Sequence, residues 1–443
     1  MVVLRREMPR SSPLVSGTFF AHLAHGVDFA HISDVSTIWN RARSNAVRHH
    51  YTVLSEILKY LPETRLRELV EAHATGQAPR RLDSRTQLVA LLYGQLSEAR
   101  SLRGLVEELE SHAAVLSSLG CGPVKRSTLA EANRSRPAAL VDELLKTMLG
   151  QARNGLRRHV RDATYLIDST TVSLSALSRR WAHFSDKMCG AKAHIVYDPD
   201  AGLPVYNIVT PARTTDLTAI RQMPLEAGAT YVFDLGYYDY GWWAALHEAD
   251  CRIVTRFKSH TPLTLESERP VAPDNDAILS DRIGHLPERQ ASRRKNPFHD
   301  KVREVRVKIE TGRTLRILTN DLEAPAQDIA DLYKRRWLIE LFFRWVKQTL
   351  KLRHFLGTSE NAVRIQIAVA LIAFVLLRLA QASQDIIESP LTFARLVRSN
   401  LTHHRRIDQL LSPTHEQERR QADQPRTPRP QQAPTGQNLQ HAA

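Results

Sequence analysis

Three carboxylates occupy places where a carboxylate is costly. Asp168 lies inside "ATYLIDSTTVSLS", a run of apolar and β-branched residues that predicts a strand. Asp234 closes the strand-like "ATYVFD", where the chain turns at Gly236. Glu340 sits in "YKRRWLIELFFRWVKQTLK", residues 333–351. Wound as a helix at about 100° per residue, that stretch puts Tyr333, Trp337, Glu340, Arg344, Lys347 and Lys351 in one narrow sector, with Arg336 at its edge. Leu338, Ile339, Leu341, Phe342, Phe343, Trp345 and Val346 cover the rest of the circumference, so the helix is largely buried and shows one polar stripe. A lone carboxylate in a basic stripe is either a satisfied ion pair or part of a site that handles phosphates. Three unpaired carboxylates brought together repel and take up protons. A pair of Mg²⁺ ions, or Mn²⁺ in their place, removes the conflict, because hard cations need oxygen ligands, and serves in-line displacement at phosphorus. Plainer readings exist: Asp168 could hold a bulge and Asp234 a turn. Asp162, Asp186, Asp198, Asp216 and Asp239 read as cap and turn residues of that kind. Order sets the trio apart, two strand carboxylates followed by one on a basic-striped helix.

The elements that must position these residues follow from periodicity. From about 47 to 153 the chain reads as helix. "RTQLVALLYGQL" and "SLRGLVEELESHAAVL" read as amphipathic helices, the second capped by Ser101. After the breaker "GCGP" comes "VKRSTLAEANRSRP", in which Thr128 and Glu131 predict a capping box. Lys125 and Arg126 flank that helix start, and Arg134 and Arg136 follow. Two helices around a Gly-containing turn suit either a helix-turn-helix-like DNA reader or a helical packing module. From 160 the pattern changes to a strand, a hairpin of "AKAHIVYD" and "LPVYNIVT", and a helix "DLTAIRQMPLEAG" capped by Asp216. The strand ending at Asp234, the helix "YGWWAALHEAD" and the strand "CRIVTRFKS" complete the run. This order predicts a mixed sheet with its first strand central and the fourth parallel beside it, so Asp168 and Asp234 neighbour each other. Residues 259–300 look polar and irregular, before a hairpin of "VREVRVKIE" and "RTLRILTND". Pro325 opens one long helix carrying Glu340; a further helix runs to about 383 and a short one spans 390–400.

The organisation expected is therefore an irregular segment (1–45), a helical DNA-binding domain (46–155) and a catalytic core (156–258 and 322–385). A β-rich insertion (259–321), a C-terminal helical segment (386–411) and a disordered tail rich in Gln, Pro, Arg and Thr (412–443) complete it. Lys and Arg outnumber Asp and Glu by 61 to 47, a formal charge of +14 that favours a polyanionic partner, nucleic acid before membrane. Three widely spaced cysteines predict neither a disulfide framework nor a zinc site and fit a reducing compartment. The N-terminus has no apolar signal region, and the apolar run 365–380 is flanked by Arg364 and broken by Gln366 and Arg378, which reads as a core helix too short and charged to span a bilayer. The expected location is cytoplasmic, on the nucleoid.

"YKRRWLIELFFRWVK" matches Y-x2-R-x3-E-x6-K through Tyr333, Arg336, Glu340 and Lys347. In this the chain resembles the insertion-sequence DDE transposases of the IS-four group. "LIDSTTVSL" is similar to the family's first-Asp strand, "FDLGYYDYGWW" to its second-Asp motif, "IVTRFK" to the strand that follows, and "STLAEANRSR" to the N-terminal domain of one subgroup. The resemblance covers about residues 45–385. It implies an α/β, ribonuclease-H-like mixed sheet flanked by helices, with a β-rich insertion and an all-helical N-terminal domain. It implies Asp168, Asp234 and Glu340 as a triad binding two Mg²⁺ ions, and Tyr333, Arg336 and Lys347, with Arg344 on the same stripe, as DNA contacts. The helical domain would add Lys125, Arg126 and Arg134. Double-stranded DNA, as element ends and as target, would be the partner of a homodimer. One departure concerns an aromatic residue that stacks on a flipped base in relatives: residues 252–324 contain only Phe257 and Phe298 and no Trp or Tyr. A structure-specific nuclease on the same core and a catalytically silent DNA-binding derivative stay open. A tyrosine recombinase does not, since no tyrosine follows "HHRR" at 403–406.

Overall fold

The computed structural model describes residues 52–74, 82–156, 163–186, 188–271, 275–290, 294–350 and 355–411. The expected irregular segment 1–45 and tail 412–443, with Asp162 and Lys351, lie outside the described residues. Among the described residues seven helices come first: α1 Val53–Leu58, α2 Glu63–Ala72, α3 Ser84–Ser97, α4 Leu102–Ser111, α5 Ala113–Ser118, α6 Arg126–Ser135 and α7 Ala138–Leu156. Then follow β1 Thr164–Leu174, α8 Arg179–Ala182, β2 His183–Ser185, β3 Met188–Asp198, β4 Leu203–Pro211, α9 Asp216–Ile220, β5 Thr230–Phe233, α10 Tyr240–Glu248 and β6 Arg252–Arg256. The insertion supplies β7 Thr264–Arg269, β8 Ile278–His285, β9 Arg289–Gln290, β10 Arg294–Lys295, β11 Val302–Lys308 and β12 Thr314–Thr319. The last helices among the described residues are α11 Ala326–Arg335, α12 Trp337–Thr349, α13 Glu360–Ala382 and α14 Pro390–Ser399.

In the helical region Ser101 caps α4 as its sequence predicts, Oγ accepting from Gly104 N at 3.0 Å. The expected single helix from there divides at His112, whose φ of −109° and ψ of 22° are not helical. The capping box at Thr128 and Glu131 does not form. Helix α6 begins at Arg126, so Thr128 already lies inside the first turn, and Glu131 instead pairs with Arg134 at 2.7 Å on the exposed face. Helix α3 is not amphipathic: every residue from Thr86 to Leu96 is buried, because α4, α13 and α14 enclose it.

The sheet has ten strands in the order β2-β3-β1-β5-β6-β12-β11-β8-β7, with β4 also on β3. Its first half is ribonuclease-H-like. Strand β1 runs antiparallel to β3, β3 antiparallel to β4, and β1, β5 and β6 run parallel. Alternation along the strands feeds two cores. Leu166, Val232, Val254 and Ile317 face the helical region and α13, whereas Ile167, Phe233, Ile253 and Leu318 meet Trp242 and Trp243 of α10. The insertion strands extend this sheet, since β12 pairs antiparallel with β6 through Thr319 and Val254. Residues 259–300, expected to be irregular, therefore contain strands. Strand β7, "TLESER", is almost wholly exposed and carries no apolar alternation; the backbone ladder to β8 holds it. A side chain at Gly284 would meet the Thr264 carbonyl oxygen, so that glycine permits the pairing.

Helix α13 corrects the length argument of the sequence. At 23 residues it is long and apolar enough to cross a membrane, but 89% of its most apolar stretch is buried inside the protein, against α7, α3, α6 and α1. The long helix expected after Pro325 is two: α11 ends and α12 begins at Arg336, where a tightened turn runs from Ile339 N to Arg336 O at 3.2 Å.

Candidate active site

The carboxyl end of β5 stands beside the middle of β1. Ile167 pairs with Phe233 as the last rung of their parallel ladder, so Asp168, which stays within β1 opposite Ile195 of β3, neighbours Asp234, the first residue after β5. Asp168 Oδ1 accepts from Ser169 N at 2.8 Å. Asp234 starts the turn Leu235–Tyr237, its Oδ1 accepting from Gly236 N at 2.7 Å. The turn reading of Asp234 is thus also satisfied, by one oxygen. Helix α12 packs on β1 and carries Glu340 on its first turn.

Arg336 holds this cluster together. Its Nη2 donates to Glu340 Oε1 at 2.6 Å, while Nη1 lies 3.9 Å from Asp168 Oδ2. The three side chains are 15% (Arg336), 22% (Asp168) and 31% (Glu340) exposed, which leaves them reachable from solvent. Arg336 Nε is buried without a hydrogen-bond partner. Tyr333 lies buried beneath it, the guanidinium carbon 5.8 Å from the ring centre. Burial pushes the Tyr333 hydroxyl pKa up. Asp168 is displaced further, to a pKa of about 7, chiefly by burial and then by the charges of Asp234 and Glu340, against the opposing Ser169 amide and Arg336.

This donor set fits a divalent cation in its chemistry. Two adjacent carboxylates stand near a third, and a hard cation removes the like-charge repulsion that adds to the effect of burial on Asp168. Among the described residues, though, no three His, Cys, Asp or Glu side chains converge closely enough to hold a metal ion. Glu340 turns to Arg336 instead.

The other residues singled out by sequence fall into two places. Arg344 is exposed and Lys347 partly buried, both on α12 with Glu340, and Trp337 is 46% exposed beside Arg336. Lys125, Arg126 and Arg134 belong to α6, which packs on α4 and α13. Lys125 and Arg126 are exposed at the helix start, and Arg134 is tied to Glu131. Arg136 is structural, donating to Leu82 O and to Asp83 O at 3.0 Å.

One residue was misassigned by sequence. Asp216 does not cap α9; Thr215 does, its Oγ1 accepting from Thr218 N at 3.3 Å. Asp216 turns inward to Ser169 and Lys192. The alternation in "AKAHIVYD", which sets Lys192 and His194 on one face, was the signal that could have found this group.

Residues 161–376 match the family described as Transposase DDE domain, and residues 49–122 match a domain of unknown function, DUF4372. A putative transposase of Sinorhizobium fredii is 41% identical over 272 residues, 61% of this chain and 75% of that protein. A probable transposase for an insertion sequence element of Geobacillus stearothermophilus is 28% identical over 333 residues, 74% of this chain and 85% of that one. Among solved structures, the piggyBac transposase synaptic complex with hairpin DNA aligns with a TM-score of 0.41 at 12% identity, covering 84% of each chain. Matched this far along both sequences, the chain belongs to the DDE transposases of insertion sequences, as the helix through Tyr333, Arg336, Glu340 and Lys347 implied, and acts as a DNA transposase.

Proposed function

We propose that this transposase cleaves phosphodiester bonds at the ends of its element and joins the freed 3′-OH to target DNA. Both steps would be in-line displacements at one site formed by Asp168, Asp234 and Glu340. The observation that carries the reading is the meeting of Asp168, in the middle of β1, with Asp234, at the carboxyl end of the parallel strand β5, with Glu340 near them across Arg336. Bound divalent ions, two Mg²⁺ in this reading with Mn²⁺ as a substitute, would supply charge neutralisation and an activated oxygen nucleophile. Asp168 and Asp234 are the residues to hold them, joined by Glu340 once it parts from Arg336. Arg336 is then free to grip a phosphate oxygen of the scissile strand, since its planar fork suits phosphate as well as carboxylate. Tyr333 underlies that guanidinium and fixes its direction. Arg344 and Lys347, further along the same helix face, bind neighbouring phosphates, and Lys125 and Arg126 on α6 add contacts from the helical domain, with Arg134 joining when Glu131 releases it. Positioning and charge stabilisation supply most of the rate.

The same reading keeps the division of the chain set out above and places the protein in the cytoplasm, on DNA. A homodimer follows from the task, because two element ends must be joined together. The test uses a duplex carrying one inverted repeat of the element. Asp168→Ala, Asp234→Ala and Glu340→Ala should each retain gel-shift binding and lose divalent-metal-dependent cutting. Robust cutting by any one of them sinks the assignment. Strand-transfer products from the wild type separate this function from a structure-specific nuclease.

A further inference from the structure

We infer that Asp216 is a positioning residue for the Asp168–Asp234 pair, acting from the opposite face of the sheet. This rests on the assignment of that pair as the divalent-cation site. Successive side chains of a strand point to opposite faces. On β1, Leu166 belongs to the core under the helical region and Ile167 to the core under α10, so Asp168 and Ser169 continue on those two sides. On β3, His194 pairs with Ser169 and Lys192 with Thr171. Ser169, His194 and Lys192 therefore share the face that Asp168 leaves.

Asp216 gathers them. Its Oδ1 accepts from Ser169 Oγ at 2.8 Å and from Lys192 Nζ at 3.1 Å. His194 Nδ1 approaches the same oxygen at 3.4 Å without making a hydrogen bond of normal geometry, and its Nε2 meets Thr210 Oγ1 at 2.9 Å. The other Asp216 oxygen lies near the catalytic turn: a Cβ added at Gly236 would be 3.7 Å from Asp216 Oδ2 and 2.9 Å from Asp234 Oδ1. Close to these carboxylates lies Tyr237, 1% exposed, its hydroxyl buried beside Ser169. That hydroxyl feels Asp216 most among its charged neighbours, then Asp168 and Asp234.

A negative residue at the start of a short helix has a bland explanation in the helix dipole. The dipole does not explain why a lysine and a serine from two neighbouring strands converge on it. Groups one step behind a metal ligand fix its orientation, and their loss typically weakens metal binding by about 10- to 100-fold. Here the path is short. Asp216 holds the Ser169 side chain, and the Ser169 amide holds Asp168 Oδ1 at 2.8 Å. Lys192 supplies a counter-charge to Asp216 at 3.1 Å.

The test is Mn²⁺ binding to the full-length protein, followed by electron paramagnetic resonance with Mn²⁺ alone. Asp216→Asn should weaken binding by about 10- to 100-fold, and Ser169→Ala should shift it in the same direction by less. Saturating Mn²⁺ should restore most of the cutting rate in both variants, which a purely structural lesion would not allow. Thermal melting identifies any folding defect in Asp216→Asn, in which case Ser169→Ala decides alone. Wild-type Mn²⁺ affinity in both variants, with binding lost in Asp168→Ala, overturns this inference and leaves the catalytic assignment standing. Unchanged binding in Asp168→Ala overturns the assignment and the inference with it.

Discussion

The insertion and the candidate active site are built from the same residue types and use them oppositely. In the insertion, Asp281 and Arg303 are 3% and 1% exposed and meet in two parallel hydrogen bonds of 2.7 Å. The remaining Arg303 donor reaches the Ala324 and Asp321 carbonyls, clamping β11 to the segment that leads into α11. Glu304, also 1% exposed, accepts from Arg306 at 2.6 Å and Arg316 at 2.8 Å, and Arg316 ties down the Lys258, Ser259 and Thr261 carbonyls. Burial alone would raise the Glu304 pKa, but the two arginines hold it below the usual carboxylate value. At the candidate site Asp168 and Glu340 share one guanidinium, with Asp234 close by, and Asp168 is driven up to about 7, chiefly by burial. Where charges close among themselves they brace the fold. Where they fall short of a positive partner, an under-neutralised cluster remains, which is what the proposed cation site requires.

Four measurements break or sharpen this contrast, in decreasing order of effect. Alanine at Asp168, Asp234 or Glu340 should cut DNA cleavage at least about a thousandfold, while circular dichroism stays native; retained cleavage would place these acids with the structural group. Asp281→Ala strands a buried arginine and should cost about 3–5 kcal/mol, read as a lower denaturation midpoint. If it unfolds no more easily than Asp168→Ala, the distinction between the two regions fails. Asp168→Asn without divalent metal should behave in the reverse sense. Because the fold raises the Asp168 pKa, its stabilising contribution is full below about pH 4 and is lost as pH climbs through about 7. The amide variant should therefore match the wild type near pH 4 and exceed it at pH 8, by at most about 4 kcal/mol. Denaturant titrations at the two pH values check the sign. The smallest effect belongs to the helical domain: Lys125→Ala or Arg126→Ala should each lower the slope of log affinity against log salt by about one, measured by fluorescence anisotropy. An unchanged slope would remove α6 from the DNA interface.

Much of this was legible in the chain because it is local. The β-branched run around Asp168, the Gly turn after Asp234 and the aliphatic circumference of α12 are short-range patterns, and each became the element its periodicity demanded. Misreadings arose where local signals compete or where pairing supplies what periodicity lacks. Thr128 and Glu131 spell a capping box, yet the helix starts two residues before Thr128. Strand β7 has no apolar face and exists because β8 offers it hydrogen-bond partners. Asp216 follows a threonine that takes the cap, which frees its carboxylate for a long-range task.

By itself the sequence determined which residue types stand at the strand ends and on one helix face, and so the family to which the chain belongs. Only the tertiary structure decided which charges meet. Helix α12 breaks from α11 at Arg336, and that break delivers a guanidinium to both Asp168 and Glu340. Sheet parity sends Asp168 to one face and Ser169, with Asp216 behind it, to the other. The physical reason is range: propensity and periodicity act within a few residues, whereas the balance of charge at a site is set by strands and helices more than a hundred residues apart.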